Sequence, residues 1–457
     1  MDAPSRRRFL AVVLAAAGAS GCLGSDDAGT DPTSTEPSST TERPGTPTVS
    51  PTATAPEMPT PTDPPTATDP PTASDTATDP PNESPAPAVA WRDAFDGPVT
   101  AQPVVSEERL FAGSEAGTLR AYAPSGDLAW QRDLSSQVRD LTVADGTLLA
   151  LVATDELWSS HTVHALDAAS GRERWTFSPT DWWLEVLAAS DGTAYVATAD
   201  DSISGSGETL YALALDGGDV EWSTEIGDPR EAVVTDDGVF VSAHGRVYGF
   251  DRADGRKRWS RSAEEVYSTL AVVDGTVVYA DQSEADGVYS ELLGLDAASG
   301  EERWRFDSWA VTTTVAGDGD LFAGGARTAS LDPSDGSARW TVEKPGWLTD
   351  AGLTGDRLYA GGDELHALAR DGGERAWTWT PDPPQGGVSA AGLVDGTLYL
   401  DAYHDAEVRN QYKFAVETAD GSGRWTFESG TELTHLAVDT DFVVAGGEDG
   451  TLYALRS

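Results

Sequence analysis

Cysteine is almost absent: Cys22 is the single one in 457 residues. A disulfide framework, a cysteine-based zinc site and an iron–sulfur cluster are thereby excluded from any folded part. Positive charge is scarce too. Lys and Arg number 30 against 76 Asp and Glu, for a formal net charge of -46. A nucleic-acid partner is excluded, because a phosphate backbone would be repelled, and so is a basic membrane-surface patch. Histidine occurs six times. The one close pair, His161 and His164, has a spacing that puts the two rings on opposite faces of a strand, which argues against a shared metal. No Ser–His–Asp arrangement and no glycine-rich phosphate loop is present, and Gly205-Ser206-Gly207 reads as a flexible hairpin tip. No segment keeps a 3.6-residue apolar period, so helices are not expected.

Only three lysines occur, Lys257, Lys344 and Lys413, in a chain rich in Asp. Such a surface repels itself in dilute buffer, and near-molar salt shortens the screening length to roughly 3 Å and relieves the repulsion. The composition resembles that of proteins from salt-loving archaea.

The N-terminus reads as an address. Arg6 and Arg7 stand before an apolar run from Leu10 to Ala19, the arrangement of a twin-arginine export signal. A run of about ten residues is too short to span a bilayer as a permanent helix. The small residues Ala19-Ser20-Gly21 then precede Cys22 in a pattern similar to a lipobox, with Ala19 where Leu is usual. Cleavage there would leave Cys22 as a lipid anchor, with the product exported and held at the outer face of the cytoplasmic membrane. Residues 1–22 are therefore assigned to signal and lipobox.

Residues 23–87 form a Thr/Pro/Ser-rich stalk. The first 87 residues hold 17 of the 27 prolines. This composition cannot bury a core and stays extended. Serine and threonine beside proline suit O-glycosylation, and Asn82-Glu83-Ser84 is an N-glycosylation sequon. As a coil the stalk would reach on the order of 40–50 Å.

Residues 88–457 carry a repeat. Trp130, Trp175, Trp222, Trp259, Trp304, Trp340, Trp377 and Trp425 each follow a glycine by four positions, and Trp91 precedes them without one. The mean step is about 42 residues, the length of a four-stranded propeller blade. Asp-Gly pairs such as Asp145-Gly146, Asp191-Gly192, Asp274-Gly275 and Asp395-Gly396 sit between short apolar runs, a strong hairpin signal. A lone four-stranded sheet cannot cover both faces, whereas radial packing buries them against neighbours. One tryptophan at a fixed place per unit would dock between blades. The fold expected is all-β: a β-propeller of four-stranded blades, nine units in all. The C-terminal segment lacks a tryptophan strand and the segment around Trp91 supplies one, so the two ends are expected to share a blade and close the ring.

The runs Ala165-Leu166-Asp167-Ala168-Ala169-Ser170-Gly171-Arg172-Glu173-Arg174-Trp175 and Gly294-Leu295-Asp296-Ala297-Ala298-Ser299-Gly300-Glu301-Glu302-Arg303-Trp304 resemble the tryptophan-docking repeat of pyrroloquinoline-quinone (PQQ)-like propellers. The resemblance spans about residues 89–457 in register. That family includes quinone-dependent dehydrogenases and the outer-membrane-assembly lipoprotein B group, a noncatalytic scaffold, and its usual blade number is eight, so nine is a departure. A dehydrogenase would need PQQ, calcium and a catalytic carboxylate, and its relatives often carry adjacent cysteines, which this region lacks. The recurring Asp residues of the Asp-Gly turns read as turn formers, not calcium ligands. No cofactor, catalytic residue or metal is expected.

A second aromatic pattern trails the docking strands. Trp182, Trp183, Trp309, Trp347 and Tyr267 follow them by five to eight positions, and Arg139 and Arg230 occupy the same offset elsewhere. This offset is the connection from one blade's outer strand to the next blade's inner strand, which gathers at one mouth of a propeller. The expectation is a recognition surface for a protein, glycan or planar ligand. The competing reading is extra packing between blades. Taken together, the sequence predicts a cell-surface binding or assembly scaffold. The alternatives are a quinone-dependent sugar or alcohol dehydrogenase and a polymer- or glycan-capturing module.

Overall fold

The smallest piece of the fold is an Asp-Gly hairpin. Asp145, Asp191, Asp274, Asp318 and Asp395 adopt φ of 46, 49, 47, 52 and 48°, and the glycine after each is also at positive φ. Two successive positive φ values make the type I′ turn, whose twist matches that of the strands it joins. Asp tolerates the left-handed region better than most residues and Gly enters it freely.

The computed structural model describes residues 85–457, leaving out 107–108, 154–160, 180–182, 200–207, 264–265, 267–269, 284–288, 309–310, 404–410 and 441. Arg6, Arg7, Cys22 and Asn82 lie outside the described residues, as do Trp182, Tyr267 and Trp309. All assigned secondary structure is strand, and every ladder is antiparallel. Each hairpin grows into a sheet whose strands neighbour one another in chain order. Trp183–Ser190, Thr193–Ala199, Thr209–Ala214 and Val220–Glu225 are one example.

Seven sheets have four strands and one has six. The six-stranded sheet joins the Trp340 and Trp377 units, which the repeat alone would separate. Its strand Ala338–Leu353 runs on from the outer edge of one unit to the inner edge of the next. Gly346 makes that passage possible. Its φ is 114°, and a Cβ there would lie 1.6 Å from the Gly361 carbonyl oxygen, so no other residue fits.

Second strands such as Thr147–Ala153 and Gly238–Ala243 are buried along their whole length. Covered on both faces, they read as continuous apolar runs instead of alternating ones. Outer strands are mostly exposed and charged around one buried tryptophan, as in Glu173–Phe177, and charge on an edge discourages pairing with other chains. Among the described residues the apolar core divides into nine clusters, each drawn from two successive units. One of them joins Val99, Leu110 and Tyr122 near the start of the chain to Val444, Leu452 and Ala454 near its end. The N-terminal strand Val89–Ala94 pairs with Thr451–Arg456 and is the outer member of a sheet completed by Phe442–Gly446 and Ala437–Val438.

Candidate functional site

The docking tryptophans come first, because they set the spacing of everything else. Trp175, Trp222, Trp259, Trp304 and Trp425 are buried, and Trp91, Trp130, Trp340 and Trp377 are half-buried. Each indole from Trp91 to Trp377 lies flat on a glycine of the following unit. A Cβ on Gly300 would come within 2.5 Å of the Trp259 ring, and one on Gly336 within 2.6 Å of the Trp304 ring. The glycine four residues before each tryptophan from Trp130 to Trp425 thus does two jobs: its positive φ makes the turn, and its bare α-carbon seats the preceding unit's ring. Seven of the indole N–H groups, from Trp130 to Trp377, donate to a backbone carbonyl of the next unit at 2.8–3.0 Å, Trp304 to Pro333 among them.

A second tie between units was not legible in the repeat. The backbone amide of a buried aliphatic residue near the start of an inner strand is bonded to the preceding unit. Leu270 donates to Glu231 Oε2 at 2.8 Å, Leu348 to Thr313 Oγ1 at 2.9 Å, Val388 to the Gly362 carbonyl at 2.8 Å, and Leu436 to Asp401 Oδ1 at 3.1 Å. Leu184 meets His161 in the same way, its amide 3.2 Å and its carbonyl 3.1 Å from Nδ1, and the ring's tautomer decides which it engages. His161 and His164 do face opposite ways: the first is 2% exposed, and the second pairs with Glu173 at the surface.

The inner strands all begin at one end of the sheets, opposite the Asp-Gly hairpins. Four of the sequence-predicted surface residues can be placed there. Trp183 opens the strand Trp183–Ser190 and is 36% exposed, the one exposed indole among the described residues. Arg139, from the neighbouring inner strand, holds its guanidinium carbon 5.8 Å from the Trp183 ring centre, and His161 packs beside that ring at 5.4 Å. Arg230 stands one unit further on, 3.8 Å from Asp228 and 3.4 Å from His244 Nδ1. Trp347 differs. It is half-buried, and its ring covers Gly387 of the next unit, where a Cβ would be 2.7 Å away. It serves packing between units. The structure therefore brings Arg139 and Trp183 together, sets Arg230 nearby in sequence order, and separates Trp347 from them in role.

Two carboxyls that sequence reasoning passed over share this end. Asp140 and Glu185 occupy matching positions, each the fifth pair from its hairpin. Burial pushes the Asp140 carboxyl above its ordinary range. Burial first, then repulsion from Asp228 and Asp140, lifts Glu185 to about 7. A signal existed, since acidic residues within otherwise apolar inner strands are unusual, but acid is everywhere in this chain.

A quinone with its calcium would need several oxygen donors converging on the ion. Among the described residues no group of three or more His, Cys, Asp or Glu is placed to hold a metal ion, and Asp140 and Glu185 are driven toward their protonated forms.

Known proteins place the chain. Its N-terminal region aside, it is matched by the family model described as outer membrane protein assembly factor BamB, a PQQ-like repeat family, over residues 84–161, 159–306, 289–425 and 324–457. The serine/threonine-protein kinase AfsK of Streptomyces griseus is 29% identical over 171 residues, which are 33% of this chain and 19% of the kinase. This chain thus spans about a fifth of that relative's length. In structure it is similar to BamB from Moraxella catarrhalis, with a TM-score of 0.50 and 15% identity over 81% of this chain and 100% of the other. It is also similar to the computationally designed Ika8 protein, with a TM-score of 0.52 and 16% identity over 82% of this chain and 100% of the other. At such identities these two structures speak to the fold alone. With indoles seated on glycines in register and the repeat model matched from residue 84 to the C-terminus, the chain belongs to the BamB-type PQQ-like β-propeller family.

Proposed function

We propose that this chain is a non-catalytic binding or assembly scaffold, exported through the twin-arginine signal at Arg6 and Arg7 and anchored by a lipid on Cys22 at the outer face of the cytoplasmic membrane. In this reading the cell lives in concentrated salt, and the stalk of residues 23–87 holds the propeller of residues 88–457 away from the lipid. The partner is a protein or glycan of the cell surface.

The observation that carries the reading is the exposed indole of Trp183 beside the Arg139 guanidinium. The docking tryptophans are buried or half-buried between units, whereas Trp183 stands more open at the end where inner strands begin. A flat ring with an adjacent cation suits recognition of an aromatic, planar or sugar group.

The test is capture from high-salt membrane extracts with the full chain and with Trp183→Ser/Arg139→Ser. The scaffold reading expects a partner held by the first and lost by the second while circular dichroism stays unchanged. An identical set of captured molecules would overturn it. The dehydrogenase alternative is checked by adding PQQ and calcium and following dye reduction with alcohols and sugars. Glycan binding in molar salt checks the polymer-capturing alternative.

A further inference from the structure

The sheet built from the two chain ends is held differently from the others. Trp91, on its own outer strand, and Trp425, from the preceding unit, sit at its two interfaces, and their indole N–H groups are buried without an acceptor, unlike the seven others. Its inner strand, Ala437–Val438, is 2 residues long, as is Val104–Val105 of the Trp130 unit. Its outer strand arrives from the far end of the chain, so this sheet can form only after the rest of the sequence exists.

Each flank carries a polar substitute. On the Trp91 side Asp93 accepts hydrogen bonds from the Tyr122 hydroxyl at 2.7 Å and from Arg120 Nη1 at 3.0 Å. On the Trp425 side the substitute is a buried ion pair. Lys413, one of three lysines in the chain, is 0% exposed, and its Nζ lies 2.7 Å from Oδ1 of Asp401, itself 3% exposed. Asp401 also accepts the Leu436 amide at 3.1 Å and meets His435 Nδ1 at 3.1 Å. Lys413 and Asp401 belong to the Trp425 unit, and His435 and Leu436 lead into the closing sheet. The carboxylate therefore faces both ways across the seam.

We propose that the Lys413–Asp401 pair is the latch of the closing sheet: it registers that sheet against the Trp425 unit and holds it docked. A buried ion pair adds little net stability over an apolar substitute, and its best-attested use is to fix register. Removing Lys413 leaves the Asp401 carboxylate buried with the Leu436 amide and His435 but without the lysine's charge, which the structure relieves by letting water in. Here the least disruptive way to admit water is to release the closing sheet, since neither indole at its two interfaces, Trp91 or Trp425, donates a hydrogen bond. The other sheets keep their own anchors and stay folded.

Native-state hydrogen exchange on the full chain in high salt, read by mass spectrometry of peptic fragments, tests the latch. In Lys413→Met the amides of Phe442–Gly446, Thr451–Arg456 and Val89–Ala94 should exchange at least tenfold faster. Those of Thr193–Ala199 and Gly238–Ala243 should keep their wild-type rates. Should Lys413→Met not fold, Asp401→Leu decides, since it removes the carboxylate that takes the Leu436 amide across the seam and is expected to show the same local pattern. Acceleration spread evenly over all sheets, or none in the closing sheet, would overturn the latch.

Discussion

Trp304→Ala tests how the units hold together. The ring is 6% exposed and sits in a cluster with Leu292, Ala329 and Leu331. It rests on Gly336, and its N–H reaches the Pro333 carbonyl at 2.8 Å. An indole of this kind removes about 150–250 Å² from water. At about 25 cal/mol per Å² that is roughly 4–6 kcal/mol as an upper bound. Truncation of buried aromatic residues costs about 3–5 kcal/mol in practice, since the cavity relaxes only in part. Trp304→Phe keeps most of the contact but loses the bond to Pro333, and should cost about 1 kcal/mol for that bond plus the lost area. The assay is urea unfolding in molar salt with hydrogen exchange alongside. Repeat arrays need not unfold in one step, so exchange shows where stability is lost. The loss should centre on Leu292, Leu321 and Ala329 and their neighbours. If Trp304→Ala cost less than about 0.5 kcal/mol, as an ordinary surface substitution does, the wedge reasoning would be refuted.

Further outcomes are expected. Gly300→Ala should destabilise by more than the ~1 kcal/mol of an unfavourable φ, because its Cβ would also strike the Trp259 ring; denaturant midpoints of Gly300→Ala and of Gly192→Ala, whose turn has open space, make the comparison. Glu185, raised to about 7 in the fold, keeps a proton that the unfolded chain gives up above its ordinary value of 4.5. Stability should therefore fall as pH rises from about 4.5 to 7, and Glu185→Gln should flatten that slope in thermal melts. Asp296 is held down to about 2, first by Arg303, then by Ser299. Its contribution is present above 3.8 and lost as pH falls toward 2, so Asp296→Ala should lessen acid sensitivity in that window alone.

Much of the architecture was readable because it repeats. The Gly-to-Trp spacing and the Asp-Gly turns each mark a backbone need, a positive φ or a ring of fixed size, that few residues meet. What the repeat concealed are the places where units differ. The fused sheet of the Trp340 and Trp377 units depends on Gly346 meeting the Gly361 carbonyl, a contact between distant residues. The inter-unit amide bonds use His161, Glu231, Thr313 and Asp401 in turn, and four residue types doing one job leave no pattern. The mouth was legible in part: the offset pointed to Trp183 and Arg139, which do meet, and equally to Trp347, whose neighbour Gly387 turns it inward. Lys413 stood out only as a rarity.

The most direct test is an indole-selective 15N spectrum followed after transfer to heavy water in molar salt, with each signal assigned by a Trp→Phe variant. If indoles are clamped between successive sheets, the N–H signals of Trp130, Trp175, Trp222, Trp259, Trp304, Trp340 and Trp377 persist long after the signal of Trp183 has gone. Loss of those seven as fast as Trp183 would mean rings open to solvent, and the ring of interlocked sheets would not exist.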